Sequence, residues 1–302
     1  MVTLAAFPDR YASSTFTGVK VWAVSVLPSL LPFFFLTSLL SLVGGITPCV
    51  KFLSPFTGFL YRTSGIAAYV QLMSFLSGYP VGVKIIADLK KGGAITTEEA
   101  TKLSTFCSTS GPLFVAGSVG VGMFSDKTIG LILLLSHLSS SVLCGVIFRF
   151  LPSESKSHGL LTAAKSQNVL YDSVYSAVIS VAVVGGFIAV FYTFSQILSD
   201  INAFYFIEKP LAAVIGENNA KGVTTALIEC TFACKTFSAD PTRLSVALSC
   251  GAISFGGLSV WCQSAAYLKS ANVKFYIFAA AKLVHTLLSF ALCYAIAAIV
   301  LP

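Results

Sequence analysis

The chain has 302 residues, 56% of them hydrophobic and only 10% charged, with a mean hydropathy of +0.86 and a net charge of +7. A soluble domain carries about 25% charged residues, so 19 Lys and Arg with 12 Asp and Glu cannot coat a water-facing surface of this size. The basic residues are scattered through loops, which excludes the basic stripe of a nucleic-acid binder and points to an all-α polytopic membrane protein.

In chain order, residues 1–19 form a mixed-polarity N-terminal segment with Asp9 and Arg10. The apolar run after it has no small-residue cleavage site, so no cleaved leader is expected. A bilayer core about 30 Å thick takes about 20 apolar residues as helix. Six segments are expected to cross it: Lys20 to Gly44, Leu103 to Phe124, Thr128 to Phe150, Leu170 to Leu198, Leu244 to Tyr267 and Phe275 to Leu301. Two others, Ile66 to Gly78 and Gly222 to Ser238, are too short and are expected to be re-entrant; the second is interrupted by Glu229 and Lys235. The eight cysteines lie mostly in apolar runs without CxxC pairs, and read as small buried hydrophobes rather than as a zinc or redox site. No metal and no cofactor is expected.

The order of segments repeats: long span, stretch with a central proline (Pro55, Pro210), short interrupted segment, glycine-broken span, and a last span with one histidine (His137, His285). This predicts a first repeat over 20–150, a linker over 151–169 and a second repeat over 170–302. Each repeat would hold about three transmembrane helices, a re-entrant helical hairpin and a broken helix. An odd number of crossings per repeat inverts the second relative to the first, and paired broken segments in inverted repeats point to a secondary transporter and its site. Eleven Lys and Arg fall on one face and seven on the other, which puts the face with Lys90 and Lys156 in the cytoplasm.

Broken helices expose backbone groups that lipid cannot satisfy, so they persist around a polar cavity. Pro112 opens the half-helix Leu113 to Phe124. Ser108, Thr109, Ser110 and Gly111 just before it read as an anion cradle at a positive helix end, or as a proline kink with its hydroxyls bonded back to the helix. Gly256 and Gly257, with Ser259 and Gln263 following, read as the second break of the site, or as glycines for helix packing. At the tips of the short segments, Gly78 and Tyr79 answer Glu229 and Thr231. Glu229 inside an apolar run would bind a cation or proton, or pair with Lys235. Lys84 and Lys235 either meet substrate carboxylates or snorkel to the interface. The histidines act as a proton relay or as hydrogen-bonded packing groups, and Lys282 needs an acidic or carbonyl partner. No GxxxxGK[ST] loop, HExxH helix or GxSxG elbow is present, so no enzyme is expected.

At Leu76-Ser77-Gly78-Tyr79-Pro80-Val81-Gly82-Val83-Lys84, Ser110-Gly111-Pro112-Leu113-Phe114 and Gly120-Val121-Gly122-Met123-Phe124, the chain resembles the sporulation integral membrane protein YlbJ family, also called SpoVV. Leu27-Pro28-Ser29-Leu30-Leu31-Pro32 and Gly257-Leu258-Ser259-Val260-Trp261-Cys262-Gln263 fit as well. Its members carry a nucleoside-recognition or Gate-type domain similar to modules in concentrative nucleoside transporters. The resemblance implies transport of dipicolinic acid, a small organic anion, toward the forespore. It also implies a place in the bacterial cell membrane, with the outer forespore membrane as the expected address, and a homo-oligomer or other sporulation membrane proteins as partners. The chain departs from the family where asparagines often precede the Ser-Pro break, having Cys107 to Ser110, and where a histidine often follows Gly-Leu-Ser-Val, having Trp261. Two other functions stay open: a nucleoside carrier using Tyr79, Trp261 and Gln263, and a scaffold docking partners through Lys84 to Lys102.

Overall fold

The computed structural model describes residues 7–43, 46–153 and 168–301. Every regular element among them is helical: fourteen α-helices, two π-helical stretches and one 3-10 turn. Most of the expected 151–169 linker, with Lys156 and Lys165, lies outside the described residues.

Among the described residues, four helices are long and apolar enough to cross a membrane: Lys127–Phe150, Val169–Asp200, Arg243–Ser270 and Phe275–Val300. They match four of the six expected spans. The other two differ. Lys20 to Gly44 belongs to a helical run from Pro8 to Leu42 that passes through a π turn at Trp22–Val26 and carries its apolar stretch at Leu30–Leu40. Leu103 to Phe124 is no single span: the helix Thr97–Ser104 ends, the chain is non-helical over 107–111, and a π-helix runs over Leu113–Met123. Pro112 explains the interruption, since it has no N–H to give and biases Gly111 away from helix.

Polar residues between the apolar stretches decide where helices start. Thr96 accepts from the Glu99 N–H at 3.1 Å, Asp126 accepts from the Thr128 and Ile129 N–H groups at 2.6 and 3.2 Å, and Thr242 and Ser245 cap one another.

The element order of 46–147 recurs over 205–300. A helix with an internal proline comes first, Ile46–Tyr61 with Pro55 and Tyr205–Ile215 with Pro210. A twelve-residue helix then turns back into a shorter one: Ile66–Ser77 into Val81–Lys91, and Glu217–Ile228 into Cys230–Phe237. At 1.5 Å per residue each twelve-residue arm is about 18 Å long, short of a bilayer. A broken segment and a long final helix close each series.

Three apolar clusters hold the elements together. Tyr61, Phe106, Leu268 and Phe278 pack round the first helix pair, and Val115, Leu133, Phe237 and Ile253 pack between the π-helix and the second pair. Leu30, Phe34, Val81, Val181 and Ile188 join Leu27–Leu42 to the long helix Val169–Asp200. The outside is apolar too: Leu135, Val183, Leu287 and Ile299 are all exposed, as lipid-facing positions should be. The segment Lys84 to Lys102, expected as a scaffold's docking face, is largely part of the first cluster. Ile86, Leu89, Ile95, Glu99 and Lys102 in it are buried, which leaves little of it for a partner.

Candidate functional site

The tip of each short helix pair presses on the break of its own half. Gly78, at φ +78°, lies so close to Gly111 that a Cβ there would stand 2.6 Å from the Gly111 nitrogen. Gly257, at φ +71°, faces the tip of the second pair, where an added Cβ would meet the Ile228 carbonyl at 2.8 Å. Both positions need glycine for conformation and for space.

Around these two contacts a narrow cavity of about 60 Å³ opens. The first half brings Gly78, Tyr79, Ser110 and Gly111 to it, and the second brings Glu229, Thr231, Ser259 and Gln263. Eight of the twelve residues expected to bind substrate therefore share one space. Ser108, Thr109, Gly256 and Gly257 stand behind it. Apolar residues of the long helices, Val26, Leu30, Val184 and Ile188, close the remaining side, and nothing in their local sequence marks them for it.

Most of the polar lining positions share a backbone feature: they lie just before or within the first turn of a half-helix, while Gln263 sits further along Gly257–Ser270. Gly78 and Tyr79 precede Val81–Lys91, Ser110 and Gly111 precede Leu113–Met123, Glu229 precedes Cys230–Phe237, and Ser259 is in the first turn of Gly257–Ser270. Four positive helix ends thus converge on one cavity. At one of them a carboxylate is already seated. Glu229 accepts from the Thr231 N–H at 3.0 Å and the Phe232 N–H at 2.7 Å, and so caps Cys230–Phe237. The expected alternative, an ion pair with Lys235, is not formed: Lys235 is exposed, and Arg10 with Asp200 is the ion pair found among the described residues.

The breaks are tied to each other from behind. Ser110 donates its N–H to His137 Nε2 at 2.8 Å, so the ring proton sits on Nδ1 and is donated to Ser254 Oγ at 2.7 Å. His285 donates from Nε2 to the His137 carbonyl at 3.1 Å, and the two rings stack at 4.9 Å. The histidines are struts between the two halves, which favours the packing reading over a relay. Thr109 shares a hydrogen bond with Ser74 at 2.8 Å, tying the first break to its helix pair.

Lys282, on the final helix, is 2% exposed. It has the carbonyl partners the sequence called for: its Nζ donates to Ser254 O at 2.8 Å, Ser108 O at 3.1 Å and Tyr79 Oη at 2.8 Å. Ser108 Oγ and Gln263 Oε1 are among the buried polar atoms that have no hydrogen-bond partner among the described residues. The second belongs to a residue that lines the cavity.

Lys84 and Lys235 do not reach this cavity. Lys84 donates to Ser176 and Ser180, both at 3.1 Å, and lines a separate polar cavity of about 290 Å³ with Asp88, Asp172, Thr37 and Ser38. Trp261, expected as a stacking platform for a nucleoside, is turned away. It donates to the Phe255 carbonyl at 2.8 Å and packs on Phe255, Phe275 and Phe278.

A curated relative, the sporulation integral membrane protein YlbJ of Bacillus subtilis (strain 168), is 32% identical over 219 residues, 65% of this chain and 54% of the relative. That match bears out the resemblance carried by the motifs, and the chain spans about half the relative's length. Among solved structures, a doubly substituted CNTnw in an outward-facing state aligns with a TM-score of 0.49 and 14% identity, over 92% of this chain and 76% of that one. No family model matches the chain. With its four membrane-length helices and this relative, the chain is a multi-pass membrane protein.

Proposed function

We propose that this relative of a sporulation integral membrane protein carries a small organic anion across the membrane, with dipicolinic acid at the outer forespore membrane as its cargo. The observation that carries the reading is the convergence of four half-helix N-termini on one cavity beside the buried ammonium of Lys282. Helix N-termini supply N–H donors and about half a positive charge each, which suits carboxylates. Glu229, seated on one of them, is an anion of the protein's own in such a place. The repeated element order supports two inverted repeats with re-entrant hairpins at Gly78 to Pro80 and at Glu229, so that the cavity lies near mid-membrane. A volume of about 60 Å³ holds a few waters, against about 300–1,000 Å³ for an ordinary ligand pocket, so admission of the cargo requires the surrounding helices to part.

The anion reading is favoured over a nucleoside because Trp261 is committed to Phe255, Phe275 and Phe278, while Tyr79 and Phe114 are the aromatics that line the cavity. The test is flux of radiolabelled dipicolinate into liposomes holding the purified chain, with uridine as the competing cargo. Dipicolinate moves and excess uridine leaves the rate unchanged, while Ser110→Ala and Glu229→Gln lower the rate at equal protein content. No flux of dipicolinate or a related dicarboxylate removes the function. Normal flux in both variants removes the site.

A further inference from the structure

The surroundings of Lys282 have a chemistry that the anion cavity does not account for. A lysine buried in a membrane protein pairs with an acid or with backbone carbonyls, and all three partners of this ammonium are neutral oxygens. Two are backbone carbonyls left over by the helix breaks. Ser254 is next to last in the helix Arg243–Phe255, which stops at the left-handed Gly256, and Ser108 lies in the non-helical stretch before Pro112. Such carbonyls, at the C-terminal ends of half-helices and in unwound backbone, are the groups that coordinate monovalent coupling cations in secondary transporters. The third ligand, Tyr79 Oη, comes from the tip of the first helix pair and can in turn donate to Ile253 O at 3.1 Å, a further C-terminal carbonyl. Three separate elements therefore aim oxygen at one point, and a side-chain cation occupies it.

We propose that Lys282 is a tethered substitute for a coupling cation: its ammonium fills an oxygen cage between the two helix breaks that would otherwise take a free alkali ion. Solute binding in this chain then needs no Na⁺ or Li⁺. Each ammonium proton meets one oxygen, so the cage is saturated and leaves no vertex for a second cation. The arrangement also places the Lys282 amine next to Tyr79 on the cavity wall. The inference takes its meaning from the transport reading, but the melting series that tests it does not depend on transport.

The purified full chain in detergent is melted in NaCl, LiCl, KCl and choline chloride at equal ionic strength, as wild type, Lys282→Met and Lys282→Ala. The wild type melts at one temperature in all four salts. The variants lose stability in choline and regain about 2–4 °C in one small alkali cation, because the emptied cage can now bind it. A wild type that melts higher in NaCl or LiCl than in choline overturns the proposal, since a cation then binds beside a filled cage. Folded variants that melt alike in all four salts also overturn it, because the oxygens are then no cation site. If neither variant yields folded protein, the wild-type series and the Na⁺ dependence of dipicolinate flux decide: Na⁺-independence in both upholds the proposal, and dependence in either sinks it. Complete absence of flux with the expected melting pattern would remove the transport reading and leave the cage.

Discussion

Glu229 has its two carboxylate oxygens on two backbone N–H groups, so its first effect is on the helix it caps. Loss of a cap costs about 1 kcal/mol. Glu229→Ala should therefore lower the melting temperature by about 2–4 °C, and Glu229→Gln, which keeps one acceptor, by less. Equal melting of both variants and the wild type would show that the cap contributes nothing. The second buried acid, Glu99, lies on the charged segment outside the spans. Ser64 donates to one of its oxygens from Oγ at 2.5 Å, and the other oxygen has no partner among the described residues. Burial pushes its carboxyl above the usual carboxylate range, against the lowering effect of those Ser64 hydrogen bonds. The folded state thus prefers the protonated form. That contribution is complete below the unfolded value near 4.5 and is lost as pH rises through the raised folded value. Glu99→Gln should accordingly melt higher than wild type at pH 7 and lose that advantage toward pH 4; a constant difference across this range would contradict it.

Sequence alone indicated which residues gather at the cavity better than what each of them does there. Proline and glycine punctuation at Gly78 to Pro80, Gly111-Pro112 and Gly256-Gly257, with one acid in an apolar run, located the breaks because such residues have local conformational consequences. Glu229 as a cap was not legible, since Ser, Thr, Asp and Asn are the usual caps. The partners of Lys84 on Val169–Asp200, and of Trp261 on Phe275–Val300, depend on long-range packing that no local spacing encodes.

Between elements, the decisive contacts are backbone against backbone. A methyl group at Gly78 meets the Gly111 nitrogen and is also strained by the positive φ, so Gly78→Ala should cost more than 2 kcal/mol and reduce folded protein recovered from membranes. Gly257→Ala should do the same against Ile228. Gly117 is the control: a Cβ there meets nothing within 4 Å, so Gly117→Ala should fold as wild type does. If all three variants were recovered equally, the close approach of tip and break would not matter to the fold. The same proximity bears on Leu103 to Phe124, where Gly111-Pro112 already marks a break. Its hydropathy is that of a membrane helix, and packing against the first pair shows how far the unwinding before Pro112 extends.

At the scale of the whole molecule, the central cavity and the Lys84 cavity follow one another along the same two helices. Leu27–Leu42 gives Leu30 to the first and Thr37 to the second; Val169–Asp200 gives Val184 to the first and Ser176 to the second. Between them lies the apolar cluster of Phe34, Val81 and Val181. If the Lys84 cavity is a vestibule, a cysteine at Ser176 in a chain stripped of its native cysteines should react with a membrane-impermeant thiol reagent from one side only. A cysteine at Ser259 should react far more slowly from that side until Phe34 is cut to Ala. Equal rates at both positions would mean that the cluster separates nothing.

The π-helix Leu113–Met123 has a consequence of its own. Its hydrogen bonds reach five residues back instead of four, so it is wider and holds more residues per turn than an α-helix of the same sequence. It runs between a break pinned by His137 and a following helix capped by Asp126. Rewinding it to α would lengthen it and turn each side chain to a new azimuth while both ends stayed tied. The eleven residues are, in effect, slack wound into the chain beside the cavity, available as reach whenever the break has to move.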